Sequence, residues 1–281
     1  MCDSPSAWNW ASKAKYAPTP EYPDIPFINK NSSLFWRGGT TEGMSPDTGQ
    51  WKGHSRQRFV HTLSDINVGS ATADIPLPYE YRISPDQKEE QQPVIKTRYE
   101  YTPVPISTLT DLVPVDVGFT SFTRCWDMDC PDQIAEFHRR EPVDFQAHWQ
   151  YKYLIDLDGA GFSDRFIPFM HSRSLPFKAA LFREWWDDRL IAWKHFVPLD
   201  LRGHGVWGTL VYFAGLKGVL GEKEVELEAH EAMGERIAEG GKEWAQKVLK
   251  KEDMEVYFFR LLLEWGRVTD DRRGEIGYGS D

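Results

Sequence analysis

Two stretches of this sequence set an arginine beside glycines and hydroxyls. Residues 36–41 read WRGGTT and residues 153–166 read YLIDLDGAGFSDRF. Each begins like a buried strand and breaks at glycines. The second resumes at Ser163 like the start of a helix. A helix start offers unpaired N–H groups and a partial positive charge, which suits a phosphate. Arg165, in the first turn, runs against the dipole preference, as if an anion were expected there. Helix capping by Ser163 with a surface arginine at position 165 accounts for the same residues, and this segment alone leaves both readings open. Two such loops, contributing Arg37 and Arg165, have the chemistry to grip a diphosphate through charge-assisted bonds.

Other constellations carry less. Asp127-Met128-Asp129 and Asp156-Leu157-Asp158 have the Asp-x-Asp form that holds a metal–nucleotide diphosphate in one class of sugar transferases. Asp is common enough here, however, for such triplets to arise by chance. The eight histidines show no zinc spacing. Neither a nucleophile elbow nor a phosphate-binding P-loop is present. No metal or cofactor is therefore expected. Cys125 and Cys130 are separated by four residues, a spacing compatible with a disulfide or with two free thiols.

The loops need a frame. Residues 33–43 read as a strand running into a loop, and residues 54–66 as a helix that carries Arg56 and Arg58. Residues 67–106 are polar and Pro-rich, an excursion with weak strands. Further strands are expected at 111–122, 151–157, 174–178 and 195–199. Helices are expected at 131–138, from 163 onward, and at 206–216, 223–250 and 254–267, the 223–250 helix broken near Gly240-Gly241. Short buried strands alternating with helices predict an α/β fold, a parallel sheet with helices on both faces and a helical C-terminus.

Composition narrows the function. The chain has 281 residues, 43 of them acidic and 33 basic, for a formal charge of −10. A general nucleic-acid binder usually carries the opposite sign, so an anionic ligand must be held by local arginines. No stretch approaches the roughly 18 apolar residues of a membrane span, and the residues after Met1 lack a signal-peptide pattern. The 12 tryptophans supply rigid amphipathic surface of the kind found in cores and sugar-stacking clefts.

In order along the chain, FWRGGTT, KYLIDLDGAGFSDRF, SRSLPFK, EWW, WKHFVPLD and GERIAEGGKEWAQKVLKKEDMEVYFFRLLLEW resemble glycosyltransferase family 90. That family includes animal protein O-glucosyltransferases and fungal capsule-associated xylosyltransferases, and the first loop and the Trp-rich style are more similar to its fungal branch. The resemblance spans about residues 28–268. It implies a GT-B architecture of two Rossmann-like domains, with residues 28–281 as the donor-binding second domain and residues 1–27 as a connector or remnant of the first. Carried over by position, Arg37, Gly38, Gly39 and Thr40 form one wall of a UDP-sugar site. Gly159, Ala160, Gly161, Phe162, Ser163 and Arg165 form the other. Thr40 stands where the animal enzymes have a second arginine, for which Arg56 or Arg58 is a candidate substitute. The family's general-base Asp has no counterpart here and is expected upstream of Met1, so the chain reads as truncated.

The implied activity is inverting transfer of xylose or glucose from a UDP-sugar to a glycan or protein hydroxyl. The alternative is a non-catalytic nucleotide-sugar or glycan-binding remnant. The implied setting is the lumen of the ER or Golgi, with membrane attachment only through an anchor absent from this chain. Such a setting implies a Cys125–Cys130 bond.

Overall fold

A computed structural model describes residues 16–64, 66, 71–83 and 94–276. Residues 1–15 of the expected connector, and 67–70 and 84–93 of the expected excursion, lie outside them. Five strands form one parallel sheet: β1 (Asn31–Gly39), β4 (Val115–Ser121), β5 (Tyr151–Leu157), β6 (Leu175–Ala179) and β7 (Val197–Pro198), in the spatial order β4-β1-β5-β6-β7. Strand β5 is a continuous buried run, as a strand covered on both faces must be. The chain passes from β1 outward to β4, then crosses back over β1 to β5. That reversal is a topological switch point, and open α/β sheets bind ligands there, beyond the carboxyl ends of the strands. The two glycine loops leave the carboxyl ends of β1 and β5.

The fold is Rossmann-like, with helices on both faces. They are α1 (Ser55–Leu63), α2 (Ile106–Leu112), α3 (Asp129–Phe137), α4 (Phe166–Met170), α5 (Val206–Ala214), α6 (Glu231–Val248) and α7 (Lys251–Thr269). Leu34, Trp36, Phe119, Tyr153, Ile155, Phe177, Trp207 and Phe213 form much of the main core. A smaller core joins Phe166, Ile167, Met170 and Trp186 to Ala245 and Leu249 at the end of α6.

The strands expected within the excursion are present as a regular antiparallel hairpin, β2 (Thr72–Ile83) with β3 (Val94–Pro105), whose base buries Ala73, Ile75 and Val104 in the main core. Several other elements differ from the sequence expectation. Residues 223–227 are a strand, not helix: β9 (Lys223–Leu227) pairs with β8 (Leu216–Leu220) after Gly215, at φ +76°, has ended α5. Helix α6 runs unbroken through Gly240-Gly241. A Cβ at Gly241 would lie 2.4 Å from the His195 carbonyl oxygen, so this glycine permits close helix packing instead of ending the helix. Helix α4 starts at Phe166, not Ser163, and has only five residues.

Helix α7 buries none of its residues, although Phe258, Phe259, Leu262, Leu263 and Trp265 are all apolar. No helix among the described residues is long and apolar enough to cross a membrane.

Candidate functional site

The end of β1 is shaped by Trp36. Its buried indole lies against Gly38, where a Cβ would sit 2.5 Å from the ring and 2.9 Å from Arg165 Nη2. Glycine is the residue that lets the indole, the guanidinium and the backbone meet. Arg37 donates to Asp116 Oδ1 at 2.6 Å and to the Asp116 carbonyl at 3.0 Å, on the neighbouring strand β4. Gly39 is equally confined, since a Cβ there would lie 2.6 Å from Ser121 Oγ. Thr40 turns inward: its hydroxyl donates to the Thr123 carbonyl and accepts from the Thr123 N–H, which pins the loop to the end of β4.

At the end of β5 the Gly159 N–H donates to the Gly161 carbonyl at 2.9 Å. Ala160 and Phe162 are exposed, while Ser163 is buried. Arg165 departs from both readings of the sequence. Its N–H donates to Ser163 Oγ at 3.4 Å, but its side chain is half-buried instead of lying on the open surface, and it does not lie inside the first helical turn. It is itself the N-cap of α4, and its Nη1 donates to the Arg37 carbonyl at 2.6 Å. A five-residue helix supplies little macrodipole, so the charge at this point is essentially the guanidinium's own. Burial lowers the Arg165 pKa, and Asp156 and Asp164 oppose that shift. No carboxylate among the described residues lies within ion-pair distance of Arg165.

Arg37, Gly38, Gly39 and Arg165 are thus brought to one open cleft of about 760 Å³. Gly159, Ala160, Gly161 and Phe162 form the adjoining loop without lining it. Arg56 does not stand in for an arginine at position 40. Its donors go to the Leu157, Asp158 and Gly39 carbonyls and to Thr41 Oγ1, at 2.7–3.0 Å, so it clamps the two loops together. Burial and then the Arg165 charge pull its pKa down to about 10, which leaves it cationic at neutral pH. The guanidinium carbons of Arg56 and Arg165 lie 5.6 and 5.4 Å from the Trp36 ring centroid. Arg58 is also directed elsewhere, donating to the Leu201 carbonyl at 3.3 Å.

Among the lining residues of this cleft that sequence reasoning missed are Thr120, Asp144 and His148. The buried His148 packs between Phe35 and Phe145, and its Nδ1 lies 2.7 Å from the Phe145 carbonyl, so Nδ1 carries the proton. Burial, followed by the Arg165 charge, lowers its pKa to about 3. Its Nε2 is therefore a neutral acceptor, and it has no partner among the described residues. Nothing in the surrounding DFQAHWQ has a motif's spacing that would have marked it.

Three of the four carboxylates in the two Asp-x-Asp triplets are bound into the protein itself, and Asp127 is exposed. Asp129 accepts from Ser45 and from the Thr48 and Gly49 N–H groups. Asp156 accepts from Lys178 Nζ at 3.0 Å, and Asp158 accepts from the Leu181 and Phe182 N–H groups. No group of three or more potential metal ligands occurs among the described residues. Cys125 and Cys130 form a disulfide.

An O-glucosyltransferase rumi homolog of Anopheles gambiae is 23% identical over 257 residues, covering 90% of this chain and 55% of that protein. A second, from Aedes aegypti, is 29% identical over 157 residues, covering 55% and 35%. The O-glucosyltransferase rumi of Drosophila melanogaster is 24% identical over 147 residues, covering 50% and 32%. The chain spans about half or less of the length of these relatives. The family model for glycosyl transferase family 90 matches residues 120–272, from the last two residues of β4 through α7. Because that match takes in more than half of the sequence and the β5 loop with Arg165, the chain belongs to glycosyl transferase family 90.

Proposed function

We propose that this chain binds the donor of an inverting glycosyltransferase, a UDP-sugar, in the cleft at the ends of β1 and β5, and that the sugar passes to a hydroxyl of a glycan or protein. The observation that carries the reading is Arg165. Its guanidinium is held by the Arg37 carbonyl and the Trp36 ring at the edge of an open cleft, and no carboxylate among the described residues forms a direct ion pair with it. A cation fixed in this way, at the switch point of a parallel sheet, suits a diphosphate. In the reaction the acceptor hydroxyl attacks the anomeric carbon while a carboxylate takes its proton. Arg165 and Arg37 stabilise the departing diphosphate. With cations supplying that charge, the reading assigns no metal. It assigns the proton-accepting carboxylate to no residue of this chain.

The relatives' shared name, O-glucosyltransferase, favours glucose and a hydroxyl oxygen. The similarity of the first loop to the capsule-associated branch keeps xylose as the other donor. The Cys125–Cys130 disulfide supports an oxidising setting such as the secretory lumen. Calorimetric titration with UDP, UDP-glucose and UDP-xylose tests the site. Saturable binding of UDP, with one sugar derivative tighter than the other, is the expected result. An absence of nucleotide binding by the folded chain would overturn the reading.

A further inference from the structure

A second concave surface shares no residue with the donor cleft. It has a volume of about 660 Å³ and lies where the hairpin β2–β3 meets the start of α5. Three aromatic side chains border it: Tyr101, 77% exposed, Trp193, 55% exposed, and Tyr212, 40% exposed. Gly205 and Gly208 also line it.

Trp193 is the unusual member. Its φ is +65°, in the left-handed region that a bulky residue rarely adopts, and the turn is closed by its N–H donating to the Phe196 carbonyl at 2.7 Å. Such a conformation is strained, and glycine would occupy it without strain. Burial does not explain a tryptophan there, because the indole is mostly in solvent. Tyr212 is held flat against His230, with ring centroids 4.0 Å apart and planes 6° from parallel. Its orientation is thereby fixed before any ligand arrives.

The polar groups follow a pattern. Asp74 and His204 line this hollow and also an adjoining one of about 410 Å³, so a carboxylate and an imidazole lie where the two meet. Thr209 adds a hydroxyl. Pyranose rings present flat C–H faces to aromatic platforms and hydroxyl donors at their edges, and a carboxylate is an acceptor for such hydroxyls. A proline-rich peptide offers mainly carbonyl acceptors, which a carboxylate cannot satisfy. An anionic polysaccharide is disfavoured by Asp74 and by the chain's formal charge of −10.

We infer that this hollow is a binding site for a linear neutral oligosaccharide, distinct from the donor cleft, with Trp193 and Tyr101 as stacking platforms and Asp74 as a hydroxyl acceptor. The assignment does not depend on the UDP-sugar reading.

Saturation-transfer NMR and calorimetry with cellotetraose, xylotetraose and mannotetraose test it on the full 281-residue chain. At least one of the three should bind, with saturation passing to its ring C–H protons. Trp193→Gly keeps the turn geometry and removes the indole. It should leave thermal stability equal or higher and weaken the oligosaccharide about tenfold, the loss expected for one stacking platform. Tyr101→Ala should weaken it as well, whereas Arg165→Ala should not. UDP affinity should be unchanged in Trp193→Gly, so failure of this site and failure of the donor site can be told apart. The inference is overturned if none of the three sugars binds, or if binding survives both aromatic substitutions. It is equally overturned if a deca-proline peptide binds in their place and loses affinity in the same variants.

Discussion

Two charged clusters lie at the carboxyl ends of neighbouring strands and behave in opposite ways. At the end of β1, Arg37 and Arg165 face an open cleft. Beside them, where β5 and β6 end, Lys178 is enclosed by Asp156 at 3.0 Å, by Glu184 at 3.7 Å and by the rings of Phe166 and Trp186. Burial pulls the Lys178 pKa down, but Asp156 and Glu184 outweigh it and hold it above its ordinary value. The first cluster keeps charge available for a ligand. The second satisfies much of its charge internally and serves the fold, tying β5 to β6 and anchoring the loop through Asp158. A carboxylate pair spaced for metal binding and an arginine beside glycines look equally functional in a sequence. Which of them has an internal partner decides the difference.

The largest effect that can break this contrast is on stability. Lys178→Ala leaves buried carboxylates without their cation and should cost about 3–5 kcal/mol in urea unfolding. If the loss is below about 1 kcal/mol, the cluster is not the structural one. Glu184 sharpens the same point through pH. Burial pushes its carboxyl up to about 8 from an ordinary 4.5; Lys178, 3.7 Å away, pulls the other way, and the charges of Asp156, Asp187 and Asp158 add to the rise. Between those pH values the unfolded chain has released the proton and the folded chain keeps it. Stability should therefore fall as pH rises from 4.5 towards 8. Glu184→Gln should flatten that part of the urea-midpoint profile. An unchanged slope would mean that the titration belongs to another group.

At the open cluster the order of effects reverses. Arg165→Ala should weaken UDP by about 1.5–3 kcal/mol, the worth of a charge-assisted bond to phosphate, and Arg165→Lys should recover only part of it. The urea midpoint should move much less than in Lys178→Ala. Equal UDP affinity in wild type and a folded Arg165→Ala would remove this arginine from the site.

Much of the fold was readable. The run YKYLIDL is apolar enough that only a strand covered on both faces can bury it, and it is β5 from end to end. The strand order was not readable, because the crossing over β1 is made by long-range contacts that leave no local pattern. Gly240-Gly241 misled because glycine that permits close packing looks like glycine that ends a helix. Residues 223–227 misled because a short polar hairpin strand has the composition of a helix start. In the candidate site, Arg37, Gly38, Gly39 and Arg165 were found as residue types beside turns. Thr40 and Ser163 were found in the same way, but their side chains point inward. The inward turn at Thr40 depends on a partner 83 residues away, at Thr123. His148 was invisible because its role comes from the aromatic rings packed around it and from Arg165, none of which is encoded at its own position.

The smallest effect tests Arg37, which belongs to the open cluster but is partly neutralised. Its Nη2 lies 2.6 Å from Asp116 Oδ1, and the Asp116 side chain is 38% exposed. In this half-exposed setting the ion pair itself contributes little to stability, about 0–1 kcal/mol. It nevertheless places a negative charge next to the proposed phosphate subsite and takes one of the guanidinium's donors. Asp116→Asn keeps the side-chain shape and an acceptor oxygen, so Arg37 stays roughly in place while the carboxylate charge disappears. UDP should then bind more tightly, by about 0.2–1 kcal/mol, with the gain shrinking as salt is added because the site is open to solvent. The same substitution in an Arg37→Ala background should give a smaller gain, since the strengthening acts mainly through the released arginine. If Asp116→Asn weakens UDP binding instead, the carboxylate is needed to aim Arg37, and that arginine is a fixed part of the β1–β4 junction like Arg56, not a free cation of the cleft.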